Sequence, residues 1–183
     1  MVEPQPDERN QVQPQIPNPP FGEDDSKVVA PELSGVVRQA VRIGELHLLF
    51  DFASTSQLSE LVPITPLPAT PHWMRGLASL HGIVLPVFDL ATLIGLDGAR
   101  SQKLLLLVVG HGDSAAAILI DGLPARFRFE ESERAPEWDA HPWLSDCAVA
   151  AYSREGQVWL DIDYRQLLDK IEQCLRTPQT ERT

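Results

Sequence analysis

The chain has 183 residues, 43% of them hydrophobic and 22% charged, enough for one domain with a sizeable core and no covalent staples. Its 15 Lys and Arg face 26 Asp and Glu, a formal charge of -11, which argues against a surface built to track phosphates and so against nucleic acid as the partner. Cys147 and Cys174 stand far apart in no metal-like or C-x-x-C spacing and read as two buried thiols of a reducing cytoplasm.

Residues 1–34 form a Pro-rich acidic tail. They hold seven of the sixteen prolines and seven acids against two bases, Arg9 and Lys27. Such a stretch cannot bury enough apolar area to offset its ordering entropy, so an extended or disordered segment is expected, either a solvated spacer or a short-motif docking arm. The opening MVEPQPDERNQVQPQIPNPP has neither a basic n-region nor an apolar h-region, and no apolar run approaches about 18 residues. A soluble cytoplasmic protein with no direct membrane insertion is the expectation.

A single domain is expected over residues 35–177, followed by a short disordered C-terminus at 178–183. VVRQAVRIGELHLLFDF reads as a hairpin about a Gly-Glu turn, residues 36–52. STSQLSELVPIT offers Ser54 or Ser56 as the cap of a short helix that Pro63 stops. In LPATPHWMRG, Pro71 opens a further helical turn and Gly76 ends it. Two apolar runs, 77–80 and 83–88, then meet at His81-Gly82, a two-residue hairpin connection in which Gly82 supplies a positive φ. Pro86 removes a ladder donor, so its strand is an edge or carries a bulge there. Asp89 caps a short helix over LATLI, which Gly95 closes.

The second half has the same grammar. Strands are expected near 103–109, 114–121 and 123–129, with turns at Gly110 to Asp113 and at Asp121-Gly122. A polar connector with two tryptophans follows, then a hairpin about Glu155-Gly156. Asp163 fits a helix cap with Gln166 at the third helical position, and Leu167, Leu168, Ile171, Cys174 and Leu175 fall on one helical face. Many short strands, few helices and a closing amphipathic helix place the fold in the mainly β class, a barrel or sandwich.

Three constellations invite other readings. GHGDSA, from Gly110 to Ala115, satisfies G-x-G-x-x-A after an apolar strand, the place of a dinucleotide-binding turn. The run that follows is too short for the crossover helix such a site needs, and a hairpin turn fits it better. His111, Asp113 and Ser114 are triad residue types on one turn, without the G-x-S-x-G elbow. His47, His72, His81, His111 and His141 are dispersed with no i, i+4 pair, so no metal and no other cofactor is expected.

WMRGLASLHGIVLPVFDLATLIGL, residues 73–96, resembles the signature of the CheW family of chemotaxis coupling proteins. That signature is a Gly, an apolar strand ending in Asn-Leu-Arg-Gly, and an apolar run with Pro-Val and Asp-Leu. Here Gly76 takes the first Gly, Ser79-Leu80-His81-Gly82 the tetrapeptide, Pro86-Val87 the Pro-Val and Asp89-Leu90 the Asp-Leu. The resemblance covers about residues 36–176, with 130–146 unmatched. It implies two small five-stranded β-barrels, SH3-like lobes packed across a shared hydrophobic seam, with short helices and a C-terminal helix. It also implies a non-catalytic scaffold linking a methyl-accepting chemoreceptor to a CheA-type histidine kinase.

The residues themselves point to partner contact at Trp73, Leu80, Val84 and Phe88, with His81 at the turn, because an apolar hairpin must bury one face in its own lobe and the other against something else. Gly76, Gly82, Pro86 and Asp89 are read as its structural turn residues. The family Arg and Asn are His81 and Ser79 here, so a fixed positive charge is missing. These departures and the Pro-rich tail point to an auxiliary or type IV pilus system rather than the main flagellar one. The competing readings are a dinucleotide-binding enzyme through Gly110 to Ala115 and a β-barrel domain for some other protein partner.

Overall fold

A computed structural model describes residues 35–177 apart from 97, 99 and 139. The expectations for residues 1–34 and 178–183 lie outside the described residues. Two antiparallel-rich sheets dominate the described part. In the first, β1 (Val36–Ile43) and β2 (Leu46–Phe50) form the expected hairpin, with Ile43 opposite Leu46 across the Gly44-Glu45 turn. On its other side β1 takes β9 (Ala125–Phe129), while the hairpin of β10 (Ala148–Arg154) and β11 (Gln157–Ile162) adds to β2 through a parallel pairing. The order is β10-β11-β2-β1-β9.

The second sheet holds β3 (Thr55–Glu60), β4 (Ile64–Thr65), β5 (Met74–Leu80), β6 (Ile83–Phe88), β7 (Leu104–Val109) and β8 (Ala116–Asp121), ordered β3-β7-β8-β6-β5-β4. It has one strand more than expected because the two-residue β4 pairs along β5. Two helices, α1 (Leu90–Leu93) and α2 (Tyr164–Arg176), complete the elements that position the site.

Period-two alternation explains why the strands are apolar on both faces. In β7, Leu106 and Val108 enter a core inside the second sheet with Ala78, Leu85 and Leu119. Leu105, Leu107 and Val109 face the other way, into a larger core shared with Val41, Ile43, Leu48 and Phe50 of the first sheet. A third cluster, with Ala40, Leu49, Phe129 and Tyr152, fills the first sheet. Each sheet therefore curls about its own core, and the run LLLLVV serves two cores at once. The shared core is the seam, closed by Leu90 and Ala91 of α1 and by Leu167 and Ile171 of α2. Asp163 caps α2 as its position predicts, its Oδ1 accepting from the backbone N–H of Arg165 at 2.8 Å and of Gln166 at 3.3 Å. In the first sheet, burial pushes the Asp161 carboxyl above its ordinary range even though Arg38 Nε donates to it at 2.9 Å.

Two helix expectations are corrected. Residues 55–60 form β3, entered through a 3-10 turn over Phe52–Ser54 that Asp51 caps. The outer edge of β7 is buried apolar strand whose backbone groups need partners, and β3 supplies them from Gln57 opposite Val108 to Glu60 opposite Leu105. That requirement overrides a weak local helix preference. After Pro71 there is one turn only, with Met74 N donating to Pro71 O at 2.9 Å, and the chain then enters β5.

Gly82 tests the hairpin turn in isolation. Its φ is 83° and a Cβ there would meet nothing within 4 Å, so the cost of a side chain is backbone strain alone. Gly82→Val is expected to lower stability by about 1–3 kcal/mol. An unchanged denaturation midpoint would show that the turn relaxes without strain.

Candidate partner-binding surface

The β5–β6 hairpin carries the site. Both turn residues have positive φ, 51° at His81 and 83° at Gly82, the combination whose twist matches that of the flanking strands. Leu80 faces Ile83, Ser79 faces Val84, Ala78 faces Leu85 and Leu77 faces Pro86. A two-residue turn makes its flanking pair hydrogen-bonded, so alternation makes Leu77–Pro86 a non-hydrogen-bonded pair. The N–H that Pro86 lacks would have pointed toward β8, where pairing begins only at Val87. Pro86 thus sits at a local edge of an otherwise interior strand, and the bulge lies in the partner strand β5, between Met74 and Gly76, opposite Val87 and Phe88. Gly76 is likewise no helix terminus: it is a buried strand residue at φ 128°, against which the backbone of Thr65 and Pro66 packs.

The two faces of this hairpin have different fates. Ala78, Leu80, Leu85 and Val87 point into the second lobe's core. Trp73 and Phe88, their rings 6.1 Å apart, belong to the seam. Of the five residues expected to touch a partner, Trp73, Leu80 and Phe88 are therefore core residues, no more than 5% exposed, because each is covered by its own lobe or by the seam. His81 and Val84 are exposed, and beside them stands Ile83, which the sequence reading did not single out. Ile83 and Val84 are 60% and 61% exposed, the two strand faces brought to one tip. Alternation assigns Ile83 inward with Leu85, but it lies at the first position after the turn, past the rim of the lobe. That position was the available signal.

Behind the hairpin, Asp89 does more than cap. Its Oδ1 accepts from Thr92 N at 3.3 Å and from Arg100 Nη1 at 2.5 Å. Arg100 Nε reaches both Asp121 oxygens at 3.4 Å. Asp121 also accepts from Ser101 N at 2.9 Å and from Gly44 N, in the first sheet's hairpin turn, at 2.5 Å. Asp89 and Asp121 are each 6% exposed. One guanidinium between two buried carboxylates thus ties the end of β6 to that of β8, and Asp121 reaches the turn of β1 and β2 through Gly44 N. No spacing rule pointed to Arg100.

The other constellations take ordinary forms. Residues 112–114 make a 3-10 turn joining antiparallel β7 and β8, so Gly110 to Ala115 lead into a strand and the dinucleotide-binding reading loses its helix. His111, Asp113 and Ser114 are exposed on that turn. Among the described residues no group of three or more His, Cys, Asp or Glu could hold a metal ion, and no helix is long and apolar enough to cross a membrane. Cys147 and Cys174 are free thiols, the first buried and pushed up by that burial, the second half-buried. The hairpin tip presents two aliphatic side chains on paired strands, with an imidazole and the Ser79 hydroxyl alongside.

Comparison with known proteins adds sequence and fold. A family model described as the CheW-like domain matches residues 39–172. The "Chemotaxis protein CheW" of Thermotoga maritima is 26% identical over 107 residues, 58% of this chain and 71% of that protein. The "Probable chemotaxis protein CheW" of Rhizobium etli is 28% identical over 85 residues, 46% of this chain and 55% of the relative. "Protein PilI" of Pseudomonas aeruginosa is 33% identical over 101 residues, 52% and 54% of the two chains. Those last two relatives are thus spanned over about half their length. The crystal structure of the scaffolding protein TtCheW from Thermoanaerobacter tengcongensis superposes with a TM-score of 0.60 at 18% identity, covering 70% of this chain and 89% of that one. At that identity the likeness speaks for the fold.

Proposed function

Because the chain belongs to the CheW-like domain family, we propose that it is a non-catalytic coupling protein that links a methyl-accepting chemoreceptor to a CheA-type histidine kinase in a cytoplasmic chemosensory array. The likeness to Protein PilI supports a type IV pilus system over the flagellar one. The observation that carries the reading is the β5–β6 tip, where Ile83 and Val84 stand 60% and 61% exposed on rigid paired strands at the place of the family signature. Burying one such aliphatic side chain against a partner contributes about 1.5–3 kcal/mol. A ring nitrogen at His81 adds a directional hydrogen bond at the place of the family Arg.

The test is calorimetric titration of the purified chain against the kinase and the receptor cytoplasmic domain of the same cell. Joint Ile83→Asp and Val84→Asp substitution should abolish association with at least one of them while leaving the unfolding midpoint in place. His81→Ala should weaken binding by about 0.5–2 kcal/mol, and His81→Arg should bind at least as tightly as the wild type. Wild-type affinity in the aspartate pair would move the interface off the hairpin, and no binding of the wild type to either partner would remove the coupling reading itself.

A further inference from the structure

The amphipathic stripe of α2 is wider than the seam requires. Leu167 and Ile171 are buried in the shared core, yet Leu168 and Leu175, on the flank of the same stripe, are only half-buried. They face a cavity of about 790 Å³ whose other walls are Met74, Pro86 and Phe88 on the outward side of the β5–β6 hairpin and the turn between β7 and β8. Apolar floor and charged rim meet there. The rim carries Asp113, Asp169 and Glu172 against Arg165. Glu172 is engaged by Arg176 at 2.5 Å, and Arg165 lies over the Tyr164 ring, donating to its hydroxyl at 3.1 Å. Asp113 and Asp169 have no ion pair among the described residues.

We propose that this groove is a second docking surface, distinct from the hairpin tip, for a basic amphipathic segment of a partner protein. Its apolar side chains would cover the half-buried Leu168, Leu175 and Pro86, and its Lys or Arg residues would face Asp113 and Asp169. Charge selects this occupant over the two supplied by the chain itself. The sequence of residues 1–34 carries seven acids and two bases, and a second copy carries a net charge of -11, so both would bring like charge to an acidic rim. A free basic helix gains on both counts.

The probe is an 18-residue synthetic peptide with Leu at i, i+3, i+4 and i+7 positions and Lys on either flank. It is titrated by fluorescence anisotropy into the full-length chain, with amide shifts mapped by NMR. A Glu-for-Lys peptide and an Ala-for-Leu peptide serve as controls. The Leu/Lys peptide should shift amides within residues 111–116 and 164–176 and bind at least tenfold tighter than either control. Joint Asp113→Lys and Asp169→Lys substitution, at two exposed positions, should weaken it tenfold or more, and Asp113→Asn with Asp169→Asn by less. The Ile83→Asp, Val84→Asp pair should change it less than twofold, which separates this groove from the hairpin tip.

Equal binding of the Ala-for-Leu peptide would reduce the effect to bulk attraction to an acidic protein and overturn the proposal. Sedimentation showing a dimer that shields α2 would assign the groove to a second copy instead. Tighter peptide binding after removal of residues 1–34 would assign it to the chain's own N-terminus.

Discussion

Gly76→Ala is expected to cost about 3 kcal/mol or more, a large share of the roughly 5–15 kcal/mol that holds a domain of this kind together. Two penalties act at once. At φ 128° an L side chain is strained by about 1–3 kcal/mol before it touches anything. An added Cβ would then overlap the Thr65 carbonyl oxygen and lie 2.7 Å from that carbonyl's carbon and 2.8 Å from Pro66 Cα, all of them backbone atoms that no rotamer change can move. Strand β4 must lift off β5, and its pairs Ile64–Ala78 and Thr65–Leu77 are lost with it. Chemical denaturation of Gly76→Ala beside Gly82→Ala isolates the steric part, since Gly82 has positive φ but open space. Faster amide exchange at Ile64 and Thr65 should accompany the loss. Equal costs for the two glycines would refute the close backbone approach.

Arg100→Ala should be similarly damaging, at about 3 kcal/mol, for an electrostatic reason. The Arg100 side chain is 19% exposed and its partners Asp89 and Asp121 are 9% and 5% exposed, so its removal leaves two desolvated carboxylates facing the same emptied space. Asp121 keeps its N–H donors from Gly44 and Ser101, and Asp89 keeps Thr92, but those are dipoles where a cation stood. Arg100→Lys should recover only part of the loss, because an ammonium cannot fork between two acids. In the Arg100→Ala background, Asp89→Asn should restore stability although it is destabilising alone, a coupling that a double-mutant cycle reads directly. A loss below about 1 kcal/mol for Arg100→Ala, or additivity in the cycle, would mean that the ion pairs do not hold the ends of β6 and β8 together.

How much of this was legible in the sequence depended on whether the decisive interaction was local. Turns at Gly44-Glu45, His81-Gly82 and Glu155-Gly156 and the caps at Asp89 and Asp163 were readable because a turn and its residues lie within four positions of each other. The segment Thr55–Glu60 was misread as a helix because its strand character comes from β7, about 50 residues downstream. The reason for Gly76 is not local either, since the backbone that excludes a side chain there belongs to Thr65 and Pro66, eleven and ten positions upstream. The same limit governed the site. The sequence shows an apolar hairpin but not which of its residues are covered, so it suggests partner contact at Trp73, Leu80 and Phe88, which are buried, and its alternation gives no sign of the exposed Ile83. Arg100 was invisible for want of any rule joining it to carboxylates 11 and 21 positions away.

The short stretch of β6 that precedes its pairing with β8 bears on how the second sheet resists extension by a further strand. Residues 83–86 have β5 on one side and no strand on the other among the described residues, which makes them a template on which a stray strand could grow. Pro86 blunts that template, since a ring nitrogen stands where an incoming strand would seek a donor. The tip therefore exposes the aliphatic side chains of Ile83 and Val84 on a strand edge that is poor at nucleating sheet extension.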